Sequence, residues 1–247
     1  MPPIDGLSTL WDTLTSAQPD PPPLLVVLTA VVALAVVATR LPWRIARNAV
    51  TIAHEGGHAL VALLTGRRLH GIRLHSDTSG LTLSAGRPSG PGMILTLLAG
   101  YVAPSLLGLG GAWLLAGNRI TLLLWLAVAL LLAMLVLIRN LFGALSVVVT
   151  GGVVLAVSWY TSPQVQAVFA WTSVWFLLFG GVRPVFELRR QRSRGRMPES
   201  DADQLGRLTP VPPLFWVGVF LLVSLGALVV GGLLLAGPIL ADAGVTF

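Results

Sequence analysis

The sequence predicts an all-α polytopic membrane protein with about six to seven membrane helices and one short β-hairpin. Of its 247 residues, 55% are hydrophobic and only 11% are charged, whereas a soluble domain carries roughly 25% charged residues. Most of its long apolar runs reach or approach the roughly 20 residues that cross a bilayer core. These runs are Leu24–Thr39, Met93–Ala116, Ile120–Ile138, Leu141–Tyr160, Val165–Val182 and Leu214–Ala236.

Residues 1–23 are predicted to form a disordered, Pro-rich leader. The leader carries three aspartates and no basic residue, so it lacks the positively charged start of a cleavable signal peptide. Residues 24–247 are predicted to form a single transmembrane domain. Cysteine is absent, which excludes disulfides and any cysteine-based metal site.

The net charge of +6 comes from sixteen basic residues, all of them arginine. Nearly all lie at the ends of apolar runs, as the positive-inside rule requires, which disfavours nucleic acid as a partner. If the helix that carries His54 enters the membrane and returns to the same side, fifteen of the sixteen arginines share one side, Arg119 being the exception. If every run spans fully, the best split is twelve to four, so the arginine count favours the first arrangement.

The predicted helix Arg47–Thr65 carries the sequence His54-Glu55-Gly56-Gly57-His58. Residues four apart share a helix face, so the two imidazoles can bind one metal ion. Glu55 lies beside that face, where it can take a proton from an attacking water. The motif therefore predicts a catalytic zinc site with nitrogen and oxygen ligands and an open coordination position. Gly56 and Gly57 are expected to leave room over the metal for a substrate backbone. Two histidines satisfied by helix–helix hydrogen bonds are the less favoured interpretation, because ionisable residues in membrane helices are usually functional.

A β-hairpin is predicted over Leu69–Ala85, because residues 71–76 and 80–84 alternate apolar and polar side chains around an Asp-Thr-Ser-Gly turn. His70 and His75 are expected to be hairpin residues rather than metal ligands. Asp77 is expected to be a turn residue. A Gly/Pro-rich loop, Gly86–Gly92, leads to the next membrane helix.

Two histidines require a third protein ligand, and the few carboxylates narrow the choice. Most carboxylates lie in the leader, the tail, the hairpin turn or, for Glu187, among arginines. The carboxylates that remain are Glu199, Asp201 and Asp203. They lie in the polar segment 183–206, which is predicted to be an Arg-rich loop. Residues two apart on a helix cannot both face the metal, so only one of the two aspartates can be the ligand; Asp201 is favoured and Asp203 is the alternative. Ser200-Asp201-Ala202-Asp203 also reads as a helix N-cap, and a cap can supply a ligand.

Asn140 lies between two apolar runs, next to Arg139. It is a candidate catalytic residue, because its amide could donate to the substrate carbonyl or oxyanion. The equally weighted alternative is a turn residue between two helices.

Together these features resemble the site-2-protease type of intramembrane zinc metalloprotease. The resemblance covers roughly Arg47 to Pro213 and rests on the H-E-G-G-H helix, the hairpin and a helix that opens with Arg139-Asn140-Leu141-Phe142-Gly143. The segment Ser200-Asp201-Ala202-Asp203-Gln204-Leu205 is similar to one in the compact bacterial branch without an appended peptide-binding domain.

The resemblance implies that His54 and His58 hold Zn²⁺ with Glu55 as the base. It implies a multi-pass protein of the bacterial cell membrane that cuts membrane-protein substrates within or beside the bilayer. One position departs from the pattern. In the family's N-x-x-P-x-x-x-L-D-G motif the Asp is the third ligand, but counting from Asn140 places Gly143 at the Pro and Val148 at the Asp. Either Asp201 or Asp203 takes over, or the enzyme is impaired.

The sequence thus predicts a zinc-dependent metalloendopeptidase whose hairpin could pair with an extended substrate strand. Two alternatives remain open. One is a non-catalytic membrane protein of the same fold that binds a partner or lipid, which Val148 supports. The other is a transporter with a metal site in its path, in which Glu55→Gln would keep function because transport needs no base.

Overall fold

The computed structural model describes residues 11–12, 14–19, 21–193 and 200–242, so most of the predicted leader and Glu199 lie outside the described residues. The helices are α1 (Pro23–Ala38), α2 (Arg40–Leu64), α3 (Pro91–Ala116), α4 (Ile120–Leu137), α5 (Leu141–Tyr160), α6 (Pro163–Arg192), α7 (Asp201–Leu208), α8 (Pro213–Leu235) and α9 (Gly237–Asp242). Between α2 and α3 lie the strands β1 (Arg68–Leu74) and β2 (Gly80–Ala85).

The predicted fold class is confirmed: this is a helical, polytopic integral membrane protein with one small hairpin. Within the described residues, five helices are long and apolar enough to cross a membrane, namely α3, α4, α5, α6 and α8. Helices α1 and α2 meet at a 99° bend and make a sixth span if the pair is counted as one. The bend separates the wholly apolar α1 from α2, which carries the polar residues of the H-E-G-G-H motif.

The hairpin forms over the predicted residues. β1 and β2 pair antiparallel, from Arg68 opposite Ala85 to Leu74 opposite Gly80. At the turn, Asp77 Oδ1 accepts from the backbone N–H of Ser79 at 2.9 Å and from its hydroxyl at 2.7 Å. These two hydrogen bonds lower the pKa of Asp77. Asp77 is therefore the turn residue that the sequence predicted.

The outer edge of β1 is joined to the connection between α4 and α5. The backbone N–H of Arg139 donates to the carbonyl of Ile72 at 2.8 Å. Both ends of the Asn140 amide bond Leu74: Nδ2 donates to its carbonyl at 2.7 Å, and Oδ1 accepts from its N–H at 3.2 Å. The hairpin is thereby fixed to the helices on one side.

The segment 183–206 was expected to be an Arg-rich loop, but its described part is largely helical. Helix α6 continues to Arg192, and α7 begins at Asp201. Three arginines occupy the last turn of α6, where positive charge interacts favourably with the helix dipole. Within α6, Arg183 Nε donates to Glu187 at 2.9 Å across one helical turn. Local charge placement therefore extends the helix beyond its apolar part.

The bundle has two distinct ends. Gln18, just before α1, donates its backbone N–H to the carbonyl of Asn118 at 3.0 Å, next to Arg119 in the α3–α4 connection. Helix α4 runs from there to Leu137, and the next residue, Ile138, bridges to Ile72 of the hairpin. Arg119 thus lies at the end of α4 opposite the hairpin.

Short helix α7 is held by its apolar face. Ala202 and Leu205 are fully buried and belong to a cluster with Leu97 of α3, Val185 of α6 and Phe220 of α8. This packing sets the first turn of α7 against α3. The next residue toward the chain start, Asp201, is consequently carried to the H-E-G-G-H helix.

Candidate metal and catalytic site

Three side chains converge on one point: His54 and His58 of α2 and Asp201 of α7. The two Nε2 atoms lie 3.1 Å apart, and Asp201 Oδ2 lies 3.3 Å from each of them. Ligands bound at about 2.0–2.1 Å to a tetrahedral zinc ion lie about 3.3 Å from one another. Two nitrogens and one carboxylate oxygen are also a known ligand set for catalytic zinc, so the residues fit the ion that the sequence predicted.

The imidazole of His58 is oriented from behind. Its Nδ1 donates to the carbonyl of Thr96 in α3 at 2.7 Å, which leaves the Nε2 lone pair facing His54 and Asp201. Such a hydrogen bond fixes the tautomer of a metal-binding histidine. His58 is 8% exposed, so the ring is held within the protein.

Aromatic rings orient His54 on its other side. The ring of Tyr101 meets the His54 imidazole edge-on, with centroids 4.9 Å apart. Tyr101 in turn stacks on Phe220 of α8 at 4.9 Å. Helix α8 thus supports the site through Tyr101, whose ring lines the cavity at this site.

Gly100 on α3 provides the space for both imidazoles. A Cβ there would lie 2.3 Å from His58 Nε2 and 2.7 Å from His54 Nε2. Both distances are shorter than real Cβ contacts, and the rings are already fixed by Thr96 and Tyr101. Any larger residue at this position would displace the metal donors.

Asp201 reaches the histidines because Ser200 and Asp203 form the cap of α7. The backbone N–H of Asp203 donates to Ser200 Oγ at 3.3 Å, and that hydroxyl donates to Asp203 Oδ2 at 2.5 Å. Asp203 also pairs with Arg192 of α6. The two aspartates therefore separate by role, one facing the histidines and the other closing the cap.

The pKa values of the two carboxyls reflect these environments. Burial acts to raise the pKa of Asp201, but the neighbouring imidazoles of His58 and His54 outweigh it and lower the pKa below its usual value. For Asp203, burial also acts to raise the pKa, and hydrogen bonds from Arg192 and Ser200 lower it. Both residues are anionic at neutral pH, as a ligand and a cap require.

Glu55 is buried, at 4% exposure, on the side of α2 that meets the hairpin. Thr82 Oγ1 donates to Glu55 Oε2 at 2.6 Å. At Gly80 a Cβ would lie 2.4 Å from Glu55 Oε1, so this strand position has no room for a side chain. The candidate base thus lies next to His54 in sequence and against β2 in space.

A cavity of about 400 Å³ opens onto these residues. It is bounded by α2, by β2 along most of its length, by α3, and by the part of α6 around Gly181 and Pro184. Arg47 lines it on α2 and pairs with Glu187 of α6 at 3.4 Å. Glu187 is thus paired with an arginine of α2 and with Arg183 of its own helix. The cavity can accept a segment of extended polypeptide beside the metal donors and Glu55.

The structure does not bring Asn140 to the cavity. Both ends of its amide are used by Leu74, and Gly143 provides the space, since a Cβ there would lie 2.6 Å from Asn140 Oδ1. The turn alternative describes the observed contacts better than contact with a substrate. Val148 does not line the cavity either, since it is 52% exposed on α5.

The expected role of Gly56 and Gly57 is corrected. Neither lines the cavity. A Cβ on Gly57 would lie 2.8 Å from the carbonyl oxygen of Ala99 and 2.4 Å from the Cβ of Ala103. Gly57 therefore permits the close approach of α2 to α3, while Gly56 faces Met134. These glycines serve helix packing rather than space over the metal.

Four residues of the site were missed from the sequence: Thr82, Thr96, Gly100 and Tyr101. Two patterns could have indicated three of them. Gly100 and Tyr101 interrupt the apolar run of α3, whereas Thr96, one turn before Gly100 on the same face, acts through its backbone carbonyl, which no residue type indicates. Thr82 faces the same side of its strand as Gly80. His70 and His75 lie in the hairpin, as predicted, and outside the metal cluster.

Comparison with known proteins adds one finding. A family described as Peptidase M50B-like matches residues 27–231. No match was found among curated proteins or among solved structures. The matched range includes the α2 motif, the hairpin, the α4–α5 connection and α7.

Proposed function

We propose, from the premise that this chain belongs to the Peptidase M50B-like family, that it is a zinc-dependent intramembrane metalloendopeptidase. Its substrates would be membrane proteins, cut within or near the bilayer. Membership of the family supports a membrane protease. The zinc ion, the endopeptidase activity and the roles of the site residues are what we propose in addition. The observation that carries it is the convergence of His54, His58 and Asp201 at ligand spacing.

Zinc held by His54, His58 and Asp201 would polarise the scissile carbonyl and make water a better nucleophile near neutral pH. Glu55 accepts the proton that the attacking water loses and transfers it to the departing amine. Because Glu55 and His58 are buried, bulk water has little access to these two side chains. The first turn of α7 keeps the Asp201 carboxylate in place through the Ser200 cap.

The strand β2 supports the binding of an extended substrate. Among the residues that the structure describes, β2 pairs with β1 on one side and with no strand on the other, and residues along β2 line the cavity. An extended peptide can add to such an edge through main-chain hydrogen bonds. A helical substrate has to unwind first, because a helix hides its own peptide groups. Asn140 takes part by fixing the hairpin through Leu74 rather than by touching the substrate.

Val148 does not count against activity in this arrangement. The position where the related motif places its aspartate faces outward on α5, and Asp201 of α7 supplies the carboxylate instead. The non-catalytic alternative rested on the missing aspartate, so it is not favoured. The transporter alternative does not explain a buried carboxylate bonded beside the metal donors.

The deciding experiment is cleavage of a tagged single-span membrane protein by the wild-type chain and by Glu55→Gln in the same membranes. We expect wild type to produce a fragment cut within or near the span, and Glu55→Gln to produce at least about 100-fold less. Glu55→Gln keeps the size and an acceptor oxygen for Thr82, so folding and zinc content should be unchanged. Equal cleavage by both chains would overturn the proposal.

A metal measurement separates the alternatives. Purified wild type should contain about one zinc ion per chain, in keeping with the one ligand set of this kind in the described part of the chain. Zinc without cleavage of any single-span substrate would favour the non-catalytic alternative. Transport of a metal ion that persists in Glu55→Gln would favour the transporter.

A further inference from the structure

A side chain of the hairpin holds the carboxylate of the candidate base. Thr82 Oγ1 donates to Glu55 Oε2 at 2.6 Å and also lies 3.2 Å from the Glu55 backbone carbonyl. Two residues earlier on the same strand face, Gly80 leaves the space that Glu55 Oε1 occupies. β2 therefore binds one carboxylate oxygen through the Thr82 hydroxyl and leaves space for the other at Gly80.

We propose that Thr82 is a positioning residue for Glu55, an inference that rests on the peptidase function proposed for this site. The hydroxyl binds one oxygen of the carboxylate and fixes its plane. The other oxygen stays available for the proton of the attacking water. Because Thr82 acts only through Glu55, it needs no contact with the substrate or the metal.

Geometry makes such a holder necessary. A glutamate has several rotamers, and a general base works only within hydrogen-bond reach of the proton that it accepts. Hydrogen bonds to an ionised acceptor are short and strong, and 2.6 Å lies in that range. The Glu55–Thr82 bond thus selects one position of the carboxylate before the substrate arrives.

The strand that carries Thr82 is itself fixed. β1 holds β2 along the hairpin, and Asn140 and Arg139 hold β1 at Leu74 and Ile72. A displacement of β2 would carry Thr82 away from Glu55. The placement of the base therefore depends on the placement of the strand that borders the substrate cavity.

The first test compares Thr82→Val, which keeps the shape and removes the hydroxyl, with Thr82→Ser, which keeps the hydroxyl. We expect Thr82→Val to lower kcat by about ten- to one-hundred-fold, the range for loss of a hydrogen bond to a charged group. KM should change by less than about two-fold, because a substrate strand that adds to β2 bonds its main chain, which Thr82→Val keeps. Thr82→Ser should keep at least about half of the wild-type kcat, since the donor to Glu55 remains. Equal losses in both variants, or a loss in KM alone, would overturn the proposal.

Thr150→Val is the matched control. Thr150 lies on α5 and donates to the Ser146 carbonyl within its own helix. We expect wild-type kcat and KM. If Thr82→Val does not accumulate in membranes, Thr82→Ala against Thr82→Ser gives the same comparison.

The second test needs no activity. Thr82→Val should lower the melting temperature of the purified chain more in the wild-type background than in the Glu55→Ala background, where the hydroxyl has no carboxylate to bond and keeps only the backbone carbonyl of residue 55. Zinc content should be the same in all four chains. Equal effects of Thr82→Val in both backgrounds would show that the two side chains are not coupled and would overturn the proposal.

The two proposals fail in different ways. Cleavage by Glu55→Gln at the wild-type rate would remove the peptidase function, whereas the melting-temperature coupling would still report the Thr82–Glu55 contact. Loss of cleavage in Glu55→Gln together with wild-type cleavage in Thr82→Val would retain the peptidase and remove the positioning role.

Discussion

Two parts of this molecule differ in how their polar side chains are placed. Around α2, α3, α7 and the hairpin, polar side chains are buried or partly buried and have partners: His58 donates to the Thr96 carbonyl, His54 meets Tyr101, and Glu55 accepts from Thr82. Helix α5 has few buried residues, namely Gly143, Val147 and Val154, and most of its large side chains face outward. The first part forms the candidate site, and the second is an outward-facing apolar helix.

The difference lies in what the helices must satisfy. Polar groups away from water are costly unless they are bonded, so each buried ionisable residue on α2 requires partners from another element. The hydroxyls of Thr150 and Ser158 on α5 instead donate to carbonyls of their own helix. The contact of α5 with the hairpin lies at its start, where Asn140 bonds Leu74. Substitutions should therefore affect function strongly in the first part and weakly in the second.

The largest effect is expected from Asp201→Asn. The amide retains an oxygen but not the charge that balances a divalent ion, so zinc affinity should fall by at least about 100-fold, beyond the usual cost of losing a supporting residue. Cleavage should fall with it. Zinc content and cleavage measured on the same preparation check this.

Asp203→Asn is the matched control for the same helix. It weakens the Arg192 pair and the α7 cap, so about 1 kcal/mol of stability should be lost. This corresponds to about 2–4 °C in melting temperature for a chain of this size. Zinc content should remain at the wild-type level. If Asp203→Asn removes zinc and Asp201→Asn does not, the assignment of the two aspartates is reversed.

A second strong effect is expected from Gly100→Ala. The added Cβ would lie within 2.7 Å of both imidazole Nε2 atoms, so we expect a loss of about 10- to 100-fold in zinc affinity, comparable to the loss of an outer-shell partner. Zinc titration of the metal-free protein measures it. Gly110→Ala on the same helix is the control, because its Cβ would meet nothing within 4 Å. Equal zinc affinities for the two variants would contradict this account of Gly100.

These residues also show how far the sequence could go. The helix spacing of His54 and His58 and the alternation in the hairpin are local patterns, and local patterns predict local structure well. The two-residue separation of Asp201 and Asp203 places them on different faces of α7, so the sequence allowed only one of them to be a ligand but did not decide firmly which one. What separates them in space is the Arg192 pair with Asp203, which a helix extension to Arg192 makes possible.

Other features depend on contacts between distant segments and could not be read from the sequence. Gly57 looked like space over a metal, yet it is required by the approach of α2 to Ala99 of α3. Asn140 looked like a substrate contact, yet Leu74, sixty-six residues earlier, uses both ends of its amide. A polar residue in an apolar context indicates that a partner exists, but only the packing identifies that partner.

An intermediate effect is expected from Asn140→Ala. Removing the amide leaves the backbone N–H and C=O of Leu74 without their partners, at a cost of about 1–3 kcal/mol. We expect faster hydrogen exchange in β1 and β2 and about ten-fold slower cleavage, since the strand that carries Thr82 loses its anchor. Zinc content should stay at the wild-type level. Unchanged exchange in the hairpin, or loss of zinc, would contradict the anchoring role.

The smallest effect on the site is expected from Val148→Asp, which restores the residue type of the related motif at that position. Val148 is 52% exposed on α5, so its carboxylate would face away from His54 and His58. The change should neither raise zinc affinity in the wild-type background nor restore zinc to Asp201→Asn.

Val149→Asp is the matched control, because Val149 is 57% exposed on the same helix. A charge on the outer surface of a membrane helix is unfavourable at either position, so both variants should lose the same amount of folded protein. If Val148→Asp alone restores zinc to Asp201→Asn, α5 can rotate its outer face toward α2. The distinction between the candidate site and the outward-facing helix α5 would then be wrong.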